Sequence, residues 1–119
     1  MYFFDTYALI EKNKGSQNYE KYSGEPVMTS VFHLYEFFYS ALGEFEESKS
    51  REAMGRLGAN KIEVLDRDII EASKFRRQNR QKRLSYADCM GYILAKRIGA
   101  KFLTGDKEFR GMENVEFVK

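Results

Sequence analysis

Tryptophan is absent from this chain, and cysteine, proline and histidine occur once each, as Cys89, Pro26 and His33. A lone thiol excludes an internal disulfide and is compatible with a reducing cytosol, the expected location. It also leaves no second thiol with which Cys89 could share a metal. No apolar run approaches the ~18–20 residues of a membrane span. The N-terminus lacks the basic lead-in, longer apolar segment and small-residue cleavage site of a secretory signal, and reads instead as a first strand. There is no internal repeat, low-complexity tract or linker, so residues 1–119 are expected to form one domain. A net charge of +2 is too small to argue nucleic-acid binding from bulk electrostatics, so any such argument must rest on how the charge is distributed.

What the chain does have is apolar and aromatic mass. Hydrophobic residues make up 43% and charged residues 32%, the balance of a globular protein with a real core. Phenylalanine occurs 10 times and tyrosine 8 times, crowding at Phe32, Tyr35, Phe37, Phe38 and Tyr39. One helix face cannot bury that cluster within a monomer, which points to a dimer contact or a protein partner.

Strands are expected at Tyr2–Phe4, Val27–Thr29, Ile62–Leu65, Lys101–Leu103 and Val115–Val118. Between them, Thr6 opens a short helix, and Thr29 or Ser30 can cap a second with Val31, Tyr35, Phe38 and Leu42 at helical spacing. A helix from Ser48 to Leu57 stops at Gly58, and Asp66 caps another running to about Asn79. Ser85-Tyr86-Ala87-Asp88 is a capping box, opening a helix whose expected buried stripe is Tyr86, Met90, Ile93, Leu94 and Ile98. Strands alternating with helices argue for a parallel sheet covered on both faces.

Four acids recur in one context within that plan. Asp5 ends the first strand and Asp106 follows the fourth, while Glu36 and Asp88 lie on helices that follow short apolar or capping segments. Strand C-termini and the helices after them line one crevice in such sheets. Carboxylates gathered there would repel unless cations held them, which suggests a hard-metal site and phosphodiester chemistry. Singly, each acid reads more readily as a helix cap, as Asp66 and Asp68 do. All four at one end of the sheet, flanked by Thr6, Ser30, Ser85, Thr104 and Gly105, change that balance.

These segments resemble a known family. Phe4-Asp5-Thr6, Thr29-Ser30-Val31 leading to Tyr35-Glu36-Phe37, Leu84-Ser85-Tyr86-Ala87-Asp88 and Leu103-Thr104-Gly105-Asp106-Lys107-Glu108-Phe109 look like the PIN domain, more specifically the VapC-type toxins of type II toxin–antitoxin systems. The resemblance runs in order along nearly the whole chain. It implies a three-layer α/β/α fold with a central parallel sheet of four to five strands. It further implies a Mg²⁺- or Mn²⁺-dependent endoribonuclease acting on RNA, a VapB-like antitoxin partner and a homodimer. Asp5, Glu36, Asp88 and Asp106 match the family's acidic quartet, as catalytic and metal-binding residues, and Thr104 matches the hydroxyl before the last acid. Glu108 stands where some members carry an auxiliary acid.

The run Lys74–Arg83 carries six positive charges and no acid. It either steers RNA phosphates toward the acids or forms a solvated helix end suited to the helix dipole. His33, three residues before Glu36, is expected on the same helix face, and a lone helix histidine is usually structural. A phosphoacceptor receiver domain is rejected, because Asp5 lacks the second acid at the first strand that phosphoryl transfer there requires. Loss of one of the four acids would support a non-catalytic PIN-like binding scaffold, and none is lost. That scaffold and an RNA-processing PIN nuclease without an antitoxin remain the alternatives.

Overall fold

The computed structural model describes every residue, Met1–Lys119. Five strands, β1 (Tyr2–Phe4), β2 (Met28–Thr29), β3 (Asn60–Lys61), β4 (Lys101–Thr104) and β5 (Val115–Phe117), form one sheet in the order β3-β2-β1-β4-β5. All four pairings are parallel, with Phe3 opposite both Met28 and Phe102 and Leu103 opposite Glu116. The helices are α1 (Thr6–Lys14), α2 (Val31–Leu42), α3 (Glu47–Leu57), α4 (Asp66–Gln78) and α5 (Tyr86–Arg97).

Alternation along the two central strands builds the layers, because successive side chains in a strand point to opposite faces. Phe3 and Phe102 enter one core with Met90, Tyr92 and Leu94 of α5 and Ala72 of α4. Their neighbours Phe4 and Leu103 enter a second core with Leu9 of α1, Leu34 and Phe37 of α2 and Leu57 of α3. Phe3, Phe4, Phe102 and Leu103 are all fully buried, so the inner parts of both strands read as apolar runs, as strands covered on both faces should. The expected α/β/α fold is what the chain adopts.

Four expectations need correction. The third strand lies at Asn60–Lys61, not Ile62–Leu65. Only the Ile62 N–H reaches back to the sheet, at 2.8 Å from the Thr29 carbonyl, after which the chain leaves for α4. Strand β3 is the exposed edge, so backbone pairing with a two-residue neighbour sets its place rather than the apolar run that follows.

Helix α2 is turned the other way from its most visible apolar spacing. His33, Leu34, Phe37 and Ala41 are buried, while Val31 and Leu42 are about half exposed and Tyr35 is 77% exposed. Both faces of this helix are aromatic, and the smaller, better-fitting one packs inward. Tyr86 likewise stands 77% exposed at the start of α5, outside the stripe expected to include it.

Helix α4 is capped by Leu65 and not by Asp66. Asp68 does the capping work, with its carboxylate accepting the Leu65 N–H at 2.8 Å. It is 2% exposed and forms a close ion pair with Arg97, whose Nε donates to both its oxygens at 2.9 and 3.0 Å. That pair ties α4 to the end of α5.

Candidate active site

Asp5 follows the last residue of β1 and caps α1, its Oδ1 accepting the Ala8 N–H at 2.8 Å. The strand delivers it to the C-terminal edge of the sheet, where its own N–H donates to the Leu103 carbonyl at 3.2 Å. It is only 3% exposed and forms no ion pair. Burial pushes its carboxyl up to about 7, opposed by hydrogen bonds from Thr104 and Ala8 and helped by the nearby charges of Asp88 and Asp106.

Thr104, the last residue of β4, is fully buried between two of the acids. Its hydroxyl accepts the Asp106 N–H at 3.0 Å while helping to hold down the Asp5 carboxyl. Asp106 in turn opens the short 3-10 turn Lys107–Phe109, accepting the Glu108 N–H at 3.0 Å. Gly105 between them gives Tyr7 its room, because a Cβ there would collide with carbons of the Tyr7 ring.

Asp88 reaches the same place from α5. The capping box is complete, with the Asp88 carboxylate accepting the Ser85 N–H at 2.8 Å and the Ser85 hydroxyl accepting the Asp88 N–H at 3.0 Å. Burial raises its carboxyl to about 6 against the Ser85 hydrogen bonds, with Asp106 and Glu36 adding repulsion. Asp5, Asp88 and Asp106 thus line one cavity of about 540 Å³, together with Thr6 and Gly105. Glu36 does not line it; it stands exposed on the second turn of α2, tied to the rim by a short hydrogen bond from the Thr6 hydroxyl.

The donor set tests whether a divalent ion belongs here. No Lys or Arg pairs with any of the four acids, although Asp68, as buried as Asp5, has its arginine. Carboxylate oxygens crowded in this way are hard ligands without a counter-charge. As the side chains stand, no group of three or more acidic, histidine or cysteine residues is drawn together closely enough to hold a metal ion.

Residues 2–115 match the sequence model of the PIN domain. The chain belongs to the PIN domain family. Its fold is shared with solved PIN proteins at low sequence identity. A toxin–antitoxin complex from Klebsiella pneumoniae aligns with TM-score 0.77 and 20% identity over 98% of this chain and 96% of that one. Mycobacterium tuberculosis VapC20, a toxin that cleaves the sarcin–ricin loop, aligns with TM-score 0.77 and 18% identity over 100% of both chains. VapBC2 from Rickettsia felis, solved bound to a DNA fragment from its promoter, aligns with TM-score 0.73 and 15% identity over 99% and 98%. No curated protein sequence matches the chain significantly.

Other residues sort differently in this PIN domain. His33 does not share a face with Glu36: it is 1% exposed, and Gly91 leaves room for it against α5, where a Cβ would fall 2.6 Å from its Nε2. Burial lowers it to about 4, with Ser30 Oγ at 2.6 Å from Nδ1, so it is a neutral core residue. Cys89 is buried. Glu108 turns away from the cavity, its carboxylate accepting the Arg83 N–H at 3.2 Å. The cavity also holds Lys107 and Lys119, which sequence reasoning passed over. Lys107 was signalled only by adjacency to Asp106. Lys119 arrives because the Val118 N–H continues the β4–β5 pairing to the Thr104 carbonyl at 2.9 Å, which no local motif announces.

Proposed function

We infer that this PIN domain is a divalent-metal-dependent endoribonuclease, the VapC-like toxin of a type II toxin–antitoxin pair. The observation that carries the reading is the shared cavity of Asp5, Asp88 and Asp106, two of them with carboxyls raised by burial and mutual charge and none with a basic partner. Toxin–antitoxin proteins among the structural neighbours support the toxin assignment and a VapB-like antitoxin as partner. A homodimer and a cytoplasmic location go with that assignment.

In this reading Asp5, Asp88 and Asp106 hold Mg²⁺ or Mn²⁺, directly or through water, and Glu36 completes the site. Held there, such an ion would supply a water of lowered pKa and would offset charge on the phosphate. Asp5 and Asp88 would give up their protons and bear full charge toward it, since a cation would offset the burial, and the lesser mutual repulsion, that raised them. Glu36, at the exposed rim, orients the attacking water. Thr104 keeps Asp5 and Asp106 in fixed relation, and Lys107 and Lys119 add positive charge at the cavity for a phosphate.

The test is ribonuclease activity of the purified protein with Mg²⁺ or Mn²⁺ and with EDTA. Cleavage that requires the metal and vanishes in Asp5→Asn is expected. An Asp5→Asn protein cutting RNA at the parent rate would overturn the assignment.

A further inference from the structure

A second cavity, of about 430 Å³, lies beside the first on the other side of the start of α5. Tyr86 lines it, and Asp88, two residues on, lines the acidic cleft. Its other walls include Arg76, Arg77, Asn79, Arg80 and Lys82, and no acid contributes to it. In a chain with 18 acidic residues, none of these four cations forms an ion pair. Five other Lys and Arg side chains, Lys14, Arg51, Lys74, Lys96 and Arg97, do so.

The basic run is thereby divided. Lys74 is paired with Glu71 at 3.2 Å and stands outside the cavity, and Arg83 does not line it either. The remaining cations are partly fixed in place. Arg76 donates from Nε to the Leu84 carbonyl at 3.2 Å and lays its guanidinium over the Tyr86 ring, 4.1 Å from the centroid. Lys82 Nζ donates to the Glu108 carbonyl at 3.1 Å, anchoring the cavity to the segment that follows Asp106. A solvated helix end needs neither convergence on one cavity nor an exposed aromatic ring held by an arginine.

We propose that this cavity is an RNA subsite, in which Arg77, Arg80 and Lys82 take phosphates of the strand while the Arg76–Tyr86 stack receives an unpaired base next to the scissile position. Each feature has its chemistry. Guanidinium forks match phosphate oxygens, and an exposed ring backed by arginine stacks with a base of any identity. The ligand is therefore single-stranded, held by backbone charge and one stacked base. The proposal depends on the nuclease reading for the identity of the polymer and deepens it by stating where the strand lies.

Binding of a fluorescein-labelled, 2′-O-methyl single-stranded RNA in EDTA separates the two, since nothing is cleaved. Arg77→Gln/Arg80→Gln should weaken binding about 10-fold or more at roughly 0.15 M salt and reduce the salt slope by about 1.4, two contacts at about 0.7 each. Tyr86→Ala should weaken it about 5-fold or more, with Tyr86→Phe restoring the parent value. Lys74→Gln, on the same helix but already paired, should leave both affinity and slope close to the parent.

Variants that bind with the parent affinity and slope would overturn the proposal while leaving metal-dependent cleavage intact. Pocket-dependent RNA binding by a parent that cuts no RNA would support the subsite and remove the nuclease. A poly-Glu peptide that binds with dependence on Arg77 and Arg80 where RNA does not would overturn it in favour of a protein partner.

Discussion

Helices α4 and α5 begin with the same device and end in opposite chemistry. Asp68 and Asp88 both occupy the third helical position, and both accept the N–H of the capping residue at 2.8 Å. Asp68 is then met by the Arg97 guanidinium, and its charge is answered inside the fold. Asp88 is met by Asp106, Glu36 and the buried Asp5, and no ion pair answers its charge. A folded protein keeps a buried acid without a partner only at some cost, because the desolvation of its charged form is uncompensated. The contrast teaches that a local motif cannot separate a cap from a functional acid. What surrounds the carboxylate on its far side does.

The sharpest way to break this comparison is to neutralise each acid in turn. Asp88→Asn should lower RNA cleavage by at least about 10²-fold, while the metal-free protein stays as stable as the parent or becomes more so. Asp68→Asn should do the reverse, costing about 3 kcal/mol of stability by leaving Arg97 partly buried without its carboxylate and sparing cleavage in the fraction that remains folded. Denaturant unfolding and a ribonuclease assay on both variants check the pair. Equal stability loss in the two would erase the distinction.

A smaller effect is expected from Gly105→Ala, which forces the Tyr7 ring or the backbone of the cleft to move. About 1–3 kcal/mol of destabilisation follows from overpacking of this kind, with cleavage reduced further because Asp106 shifts with it. A variant as stable and as active as the parent would show that the contact between Gly105 and Tyr7 does not hold the cleft in shape.

A separate effect lies in the pH dependence of metal-free stability. Asp5 is raised from 3.8 to about 7 on folding, so the native state binds the proton more tightly than the unfolded chain. Stability contributed in this way is present below pH 4 and is lost as pH rises toward 7. His33, lowered from 6.5 to about 4, pushes the other way, because the unfolded chain takes up its proton first as pH falls. The Asp5 contribution therefore appears as a difference: in EDTA, Asp5→Asn should gain stability relative to the parent as pH climbs from about 4 to 7. A difference independent of pH would mean that Asp5 ionises like an exposed carboxyl.

Much of the fold could be read from the sequence where local and long-range demands agree. Tyr2–Phe4 is apolar on both faces and became a central strand, and Ser85–Asp88 opened α5 as its spacing required. The convergence of Asp5, Asp88 and Asp106 followed from chain order, since parallel strands bring their ends to one edge. What could not be read depended on partners distant in sequence. The position of β3 is fixed by β2, and the inward face of α2 by which side chains fit beneath Phe4 and Leu103. The ion pair that Arg97 brings to Asp68 from the far end of α5 has no local signal either. Lys119 joined the cleft through strand pairing that its own neighbourhood does not encode.

Calorimetric titration of the purified protein with Mn²⁺ near neutral pH tests the central claim most directly. One cation site that is present in the parent, releases protons as Asp5 and Asp88 ionise, and is lost in both Asp5→Asn and Asp106→Asn is the predicted result. Isotherms unchanged by either substitution would contradict it.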